Sequence, residues 1–357
     1  MPECPGLYEL AAMRDGAMAR LRLPGGRLTV EAARGLAEAD RARNVLASPV
    51  DAVAPLVTRM DDALQEAAEA GRLDGLPVKA SCVVDSGAGD VIGIGHDVGL
   101  IPDGDRYRVS LADRPTEWGI APEDAPALVV ALFGAMARSR QRLTAFTAAA
   151  CETALHESGC TITPLSTPAP HRWPEASDAV GPLTEGGYSV RVPLGDLGAE
   201  GLETLADAAA RGDGLLRLAP NRRIVLRGLA EATRREIAPL LEAAGFGTTP
   251  EPIRVVACTG ALGCPRTERD TRGDAVALAR ALEPNGSGRP ITIHLSGCAR
   301  GCARPGPSDW LLRAEGDGYA LFADACADTE APPLETVAPS DLPARVAACM
   351  GAVARHV

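Results

Sequence analysis

The segment "PLVTRMDDALQEAAEAG" (Pro55 to Gly71) carries apolar residues three and four apart, so the spacing predicts an amphipathic helix that closes on Gly71. "PEDAPALVVALFGAMARSR" is apolar on nearly every face and predicts a buried helix, and "RLTAFTAAACETALHES" predicts another. "TVEAARGLAEAD" reads as a helix with Thr29 as its N-cap. Strands are expected where the period falls to two: "AMARLRL" (Ala17 to Leu23), "VKASCVVD" (Val78 to Asp85) running into the turn "SGAGD", and "DRYRVSLAD" (Asp105 to Asp113). The run "TPLSTPAPHRWPEASDAVGP" (Thr163 to Pro182) is rich in proline and has no period, which marks it as a linker.

Beyond that linker the pattern recurs. "GGYSVRVPLGDLGAEGLETLADAAA" resembles "DGAMARLRLPGGRLTVEAARGLAEAD", and "IRVVACTG" resembles "ARNVLASP". In this alignment Arg22 meets Arg191 and Ala47 meets Ala257, so the first copy is the shorter one. It lacks a counterpart of "LLRLAPNRRIVLRGLAEATRREIAPLLEAAGF", which reads as two strands and a helix. The expected fold is α+β, with two pseudo-symmetric halves of mixed sheets and packed helices. The expected division is a shortened half-repeat over 1–50, an α/β domain over 51–162, the linker over 163–182, a second half-repeat over 183–250 and a cysteine-bearing domain over 251–357.

Charge narrows the partners. At a net charge of -11 the chain is a poor match for a nucleic-acid groove or an anionic membrane surface. "MPECPGLYEL" shows no basic-then-apolar leader, and the longest apolar run, "ALVVALFGAMA", is too short to cross a bilayer, so a cytoplasmic location is expected. Ten cysteines in such a chain point to metal binding or catalysis rather than disulfides. Lys79 is the sole lysine among 36 basic residues.

Four of the cysteines form a constellation. Cys258 and Cys264 lie in "ACTGALGCPR"; Cys298 and Cys302 lie in "HLSGCARGC". Each pair follows an expected strand, so the two loops can meet at one sheet edge. Gly260, Gly263, Gly297 and Gly301 permit tight turns that leave N–H groups to point at sulfur. Four thiolates suit a [4Fe–4S] cluster or a zinc ion, and the five-residue gap between Cys258 and Cys264 is a poor zinc spacing. Four unlinked buried thiols are the plain alternative.

The two cysteine pairs in this order resemble the nitrite and sulfite reductase family of sirohaem and [4Fe–4S] proteins. "CPGL", "ARNVLASPV" and "LPVKASCVVDSG" match in order, so the resemblance covers nearly the whole chain. Within the family it is nearest the oxygen-using branch of cobalamin biosynthesis. The resemblance implies a [4Fe–4S] cluster on Cys258, Cys264, Cys298 and Cys302. It also implies hydroxylation and lactonisation of the tetrapyrrole precorrin-3A with O2, a mononuclear non-haem iron, and an external electron donor such as a reductase or ferredoxin. Arg43 and Lys79 fall on the family's anion-binding positions, with Arg22 and Arg191 as further candidates for substrate carboxylates. His96 is the candidate ligand of the mononuclear iron, and His294 is placed to hydrogen-bond beside the cluster. Two features depart from the family. Ser81 stands where sulfite reductases carry a second lysine, which disfavours reduction of a small oxyanion, and the first half lacks an arginine-bearing strand pair. A sirohaem-dependent sulfite or nitrite reductase is the alternative, and a non-catalytic tetrapyrrole or iron–sulfur carrier is the third reading.

Overall fold

The structure is a computed structural model that describes residues 8–13, 16–21, 45–49, 53–77, 80–173, 178–282, 291–304 and 306–353. The expected helix from Thr29 and the candidates Arg22, Arg43 and Lys79 lie outside these residues.

In the first half, strands β1 (Tyr8–Met13) and β2 (Gly16–Leu21) form an antiparallel hairpin. A six-stranded sheet follows, built in sequence order from β3 (Val45–Ala47), β4 (Cys82–Val84), β5 (Val98–Asp103), β6 (Arg106–Leu111), β7 (Arg114–Ile120) and β8 (Thr163–Pro164). Its first three strands are parallel and the rest antiparallel. Helices α1 (Ala54–Glu69) and α2 (Ala125–Ser139) cover it, joined by α3 (Ala148–Glu157). The stripe of α1 is Leu56, Met60, Leu64 and Ala67, all buried, and the chain leaves this helix through Gly71 at φ 71°. Helix α2 buries most of its surface, as its composition predicted. The expected helix from Arg142 is shorter than its pattern: a 3-10 turn at Leu143–Ala145 precedes it, and Thr147 accepts the N-cap hydrogen bond from Ala150 N–H.

The second half begins with β9 (Gly181–Pro182), β10 (Tyr188–Arg191), β11 (Asp196–Leu197), α4 (Ala199–Ala209), β12 (Arg217–Ala219), β13 (Arg223–Leu226) and α5 (Glu231–Ala243). Four of these strands form an antiparallel sheet in the order β12-β13-β10-β9, and α4 and α5 close over its apolar core. β11 instead pairs with β1, Tyr8 opposite Leu197, which ties the N-terminal hairpin to the second half.

A five-stranded sheet completes the fold: β14 (Ile253–Ala257), β15 (Ile291–Ser296), β16 (Ser308–Glu315), β17 (Gly318–Ala325) and β18 (Glu335–Val337). Helices α6 (Thr271–Ala281) and α7 (Leu342–Val353) flank it. β14, β15 and β16 are parallel, and β17 and β18 follow antiparallel. This is the strand order and direction of β3 to β7, so the internal repeat seen in sequence is a repeat of topology.

The segment over 163–182 differs from a loose linker. Its ends are β8 and β9. Thr167 bonds Arg108 and Asp103, and Trp173 Nε1 donates to Ser110 Oγ at 2.8 Å. Polar anchors hold it where no apolar period was present to announce contact. Among the described residues no helix is long and apolar enough to cross a membrane.

Candidate functional site

Cys258 follows β14 directly and Cys298 lies two residues past β15. Because these strands are parallel neighbours, both cysteine loops leave from the same edge of the sheet. Gly260 has φ 66°, and a 3-10 turn over Gly260–Leu262 brings Cys264 N–H to Gly260 O at 2.9 Å. Gly301, at φ 59°, makes the corresponding turn before Cys302.

The thiols share one neighbourhood. Gly297 N–H donates to Cys258 Sγ at 3.2 Å across the two loops, and Thr271 Oγ1 lies 3.4 Å from the same sulfur. Burial raises the Cys302 thiol above its ordinary range, and the charges of Cys298, Cys258 and Cys264 raise it further. Even so, among the described residues no three His, Cys, Asp or Glu side chains are grouped to chelate a single ion. A zinc site requires four donors about 2.3 Å from one point, whereas a cubane places one thiolate on each iron. Four thiols in two loops that leave neighbouring parallel strands, with a backbone N–H aimed at one sulfur, are the donor type of a sulfur-ligated metal group.

A cavity of about 600 Å³ opens beside these loops, between the antiparallel sheet of the second half and the edge strand β14. Arg191, Arg222, Arg254, Arg280 and Arg304 line it, with Glu251 as its acid. Ala303 and Arg304, the two residues after Cys302, are part of its lining. Arg191 lies in this wall, and its guanidinium contacts Asp178 at 2.8 Å and Glu251 at 3.4 Å. Asp178 also pairs with Arg254. Arg223, directly opposite Arg191 on β13, is buried and bonds Ala179 O at 2.8 Å. Burial first, then the neighbouring Arg191, lower its basicity to about 10.

His294 is fully buried on β15. Burial, then Arg222 and Arg304, lower its pKa to about 4, so the ring is neutral at physiological pH. Neither of its ring nitrogens has a hydrogen-bond partner.

His96 is a different case. Its Nδ1 lies 2.6 Å from Ile94 O and its Nε2 2.8 Å from Ser110 Oγ. Asp113 Oδ1 lies 3.3 Å from the same Nδ1, so both nitrogens have partners within the first half. Ser81, the departure from the second lysine, is buried with its N–H on Asp97 Oδ2 at 3.0 Å.

Sequence reading missed Arg222, Arg254, Arg280 and Arg304 as a set. One local signal was available: in "PNRR" Asn221 and Arg222 both take positive φ, 60° and 59°, a conformation that costs a non-glycine residue about 1–2 kcal/mol.

The fold is thus α+β, with two halves of like topology and a thiol-bearing edge in the second. Residues 184–244 match the family described as nitrite/sulfite reductase ferredoxin-like half domain. The chain is similar to precorrin-3B synthase of Sinorhizobium sp, 33% identical over 126 residues, which is 35% of this chain and 27% of that protein. A ferredoxin–nitrite reductase of Synechococcus elongatus is 32% identical over 126 residues, 34% of this chain and 24% of its own. The sulfite reductase [NADPH] hemoprotein beta-component of Methylorubrum populi is 31% identical over 164 residues, 44% of this chain and 27% of its own. The matched segments thus span about a quarter of each relative. In structure, the chain shares its fold with the Mycobacterium tuberculosis NirA protein at TM-score 0.66 and 20% identity, over 85% of this chain and 66% of that one.

Proposed function

We propose that this chain is an iron–sulfur oxidoreductase of the precorrin-3B synthase kind, acting on a polycarboxylate tetrapyrrole. The observation that carries the reading is the adjacency of two elements: four thiols on one sheet edge, and an arginine-lined cavity whose wall includes Ala303 and Arg304, the residues that follow Cys302. Cys258, Cys264, Cys298 and Cys302 would hold a [4Fe–4S] cluster, which supplies one-electron transfer when bound. The arginines recognise acetate and propionate groups, because a planar guanidinium meets a carboxylate through two parallel hydrogen bonds. Asp178 and Glu251 keep Arg191 and Arg254 in fixed orientations, so the wall is set before substrate arrives. Gly297 N–H stabilises negative charge on Cys258 sulfur. Electrons would come from an external donor, and O2 would be the second substrate. No step is assigned to a mononuclear iron.

The test is anaerobic reconstitution followed by turnover of precorrin-3A under O2, read by mass spectrometry. Gain of one oxygen atom with lactone formation supports the reading; an unchanged substrate mass in cluster-loaded protein refutes it. Cys302→Ser with iron and sulfide analysis tests the ligand set, with about four irons expected in the wild type and fewer in the variant. The similarity to nitrite and sulfite reductases favours a second reading, a sirohaem enzyme. It predicts a tightly held isobacteriochlorin with strong red absorption bands, where the first predicts a cluster-only brown spectrum.

A further inference from the structure

Two groups from outside its own loop close on the sulfur of Cys258. The Gly297 N–H, from the second cysteine loop, lies 3.2 Å away, and the hydroxyl of Thr271, the first residue of α6, lies 3.4 Å away. Gly297 comes that close because it has no side chain: a Cβ there would stand 2.5 Å from Thr267 Cγ2. Gly260 leaves the matching space on the other side, where a Cβ would stand 2.6 Å from the Thr271 hydroxyl.

Thr271 is held firmly. It is fully buried. Its N–H donates to Arg269 O at 2.9 Å, and the same carbonyl accepts from Ala261 N–H of the first cysteine loop at 2.8 Å. A hydroxyl at the start of a helix usually serves as a cap, but Asp270 already does so here, accepting from Gly273 N–H at 3.0 Å. The Thr271 hydroxyl instead turns to one residue, with Cys258 O at 2.9 Å and Cys258 Sγ at 3.4 Å. It has one proton for these two acceptors. Metal ligation strips the thiol of its own proton, so the sulfur can then only accept. Burial keeps water from competing at either end.

We propose that Thr271 is a positioning residue for the electron-transfer centre: its hydroxyl shares a proton between the carbonyl and the sulfur of Cys258, and so raises the reduction potential of the group that Cys258 ligates. The inference rests on the cluster reading given above. One-electron reduction places more negative charge on the ligating sulfurs, and a donor aimed at sulfur stabilises that state more than the oxidised one. Gly297 supplies a backbone donor that no substitution removes; Thr271 supplies the donor that a side chain can tune.

The experiment is a dithionite titration of the full chain, reconstituted anaerobically with ferrous iron and sulfide and followed by electron paramagnetic resonance. Wild type is compared with Thr271→Ala and Thr271→Val, which remove the hydroxyl, and with Thr271→Ser, which keeps it and removes the methyl group. Ser296→Ala is the control for a hydroxyl on a cysteine carbonyl, since Ser296 Oγ donates to Cys298 O at 2.7 Å. One hydrogen bond is worth about a tenfold change in an equilibrium, so the midpoint potential should fall by about 59 mV in Thr271→Ala and Thr271→Val. Thr271→Ser and Ser296→Ala should stay at the wild-type value. Equal potentials in all the loaded proteins overturn the proposal and leave the cluster reading standing. A shift in Thr271→Ser or Ser296→Ala as large as in Thr271→Ala also overturns it, because packing or carbonyl contact would then explain the change. If Thr271→Ala takes up no iron, Thr271→Val, which fills the same volume, decides. Failure of both to take up iron while Thr271→Ser loads fully assigns the hydroxyl to assembly and overturns the redox role. A wild type that holds neither iron nor sulfide after reconstitution removes the cluster reading, and this inference with it.

Discussion

Gly260→Ala would test whether the first cysteine loop depends on one backbone conformation. Gly260 sits at φ 66°, where alanine costs about 1–2 kcal/mol. Its new Cβ would also lie 2.6 Å from Thr271 Oγ1, 2.8 Å from Arg269 O and 2.8 Å from Thr271 N. Two of those atoms are backbone and cannot swing aside. Overpacking of this kind adds about 1–3 kcal/mol. Together the local cost is about 2–5 kcal/mol, or between about thirtyfold and several thousandfold in the population of the native loop. Thr271 is coupled to Cys258 through a hydrogen bond to its carbonyl at 2.9 Å, so displacing Thr271 moves the first thiol. Gly104→Ala is the control: it has φ 65° but nothing within 4 Å of the added carbon, and it lies in the hairpin of the other half. Both variants would be reconstituted anaerobically, assayed for iron and sulfide, and unfolded in urea. Gly104→Ala should lose about 1–2 kcal/mol and keep its iron. Gly260→Ala should lose iron even where the fold survives. Equal iron and equal stability in the two variants would refute the steric argument.

Three further outcomes follow from the geometry. Asp97→Ala removes a buried carboxylate that accepts from Ser81 N–H at 3.0 Å, Leu143 N–H at 3.1 Å and Arg142 at 2.8 Å, and urea denaturation should show a loss of about 3 kcal/mol. His294 is depressed from 6.5 to about 4 in the fold, so it binds a proton more readily when unfolded. Its contribution to stability is intact above pH 6.5 and is lost as pH falls toward 4, by about 3 kcal/mol in all; the difference in stability between wild type and His294→Leu, followed by urea titration, should change over that window. Arg108→Met cuts bonds to Asp103, Thr116 O and Thr167, and limited proteolysis should then cleave the 163–173 strap faster than in wild type.

Much of the architecture is periodic and therefore legible. The α1 stripe, the buried α2 and the strand around Arg106–Leu111 follow from spacing alone. So does the position of the four cysteines, because a strand followed by glycine-rich chain has few places to go but a turn at the sheet edge. The 163–182 strap was harder, since what fixes it is a set of polar bonds to Arg108 and Ser110, far away in sequence and without any repeat. The cavity was harder still. Its arginines come from a hairpin turn, an edge strand, a helix and a cysteine loop, and no linear pattern relates them. The environment of His96 was not legible either: a histidine after a glycine-rich loop looks available, whereas the fold turns both nitrogens inward to Ile94 and Ser110.

The shared order of β3–β7 and β14–β18 makes two loops equivalent that look nothing alike. After β15 comes the thiol loop; after β4, at the same place in the first half, comes "DSGAGDVI". There Asp85 accepts hydrogen bonds from the N–H groups of Gly87, Gly89, Val91 and Ile92 at 2.8–3.0 Å. The loop encloses its own carboxylate, and Ser48, at the position of Cys258, donates a hydrogen bond to Asp90 at 2.5 Å. One place in the topology thus serves two ends: in the first half the loop is closed from within by its own carboxylate, and in the second it presents thiols. A chimera bearing the second loop on the first half would ask how little separates a scaffold from a centre.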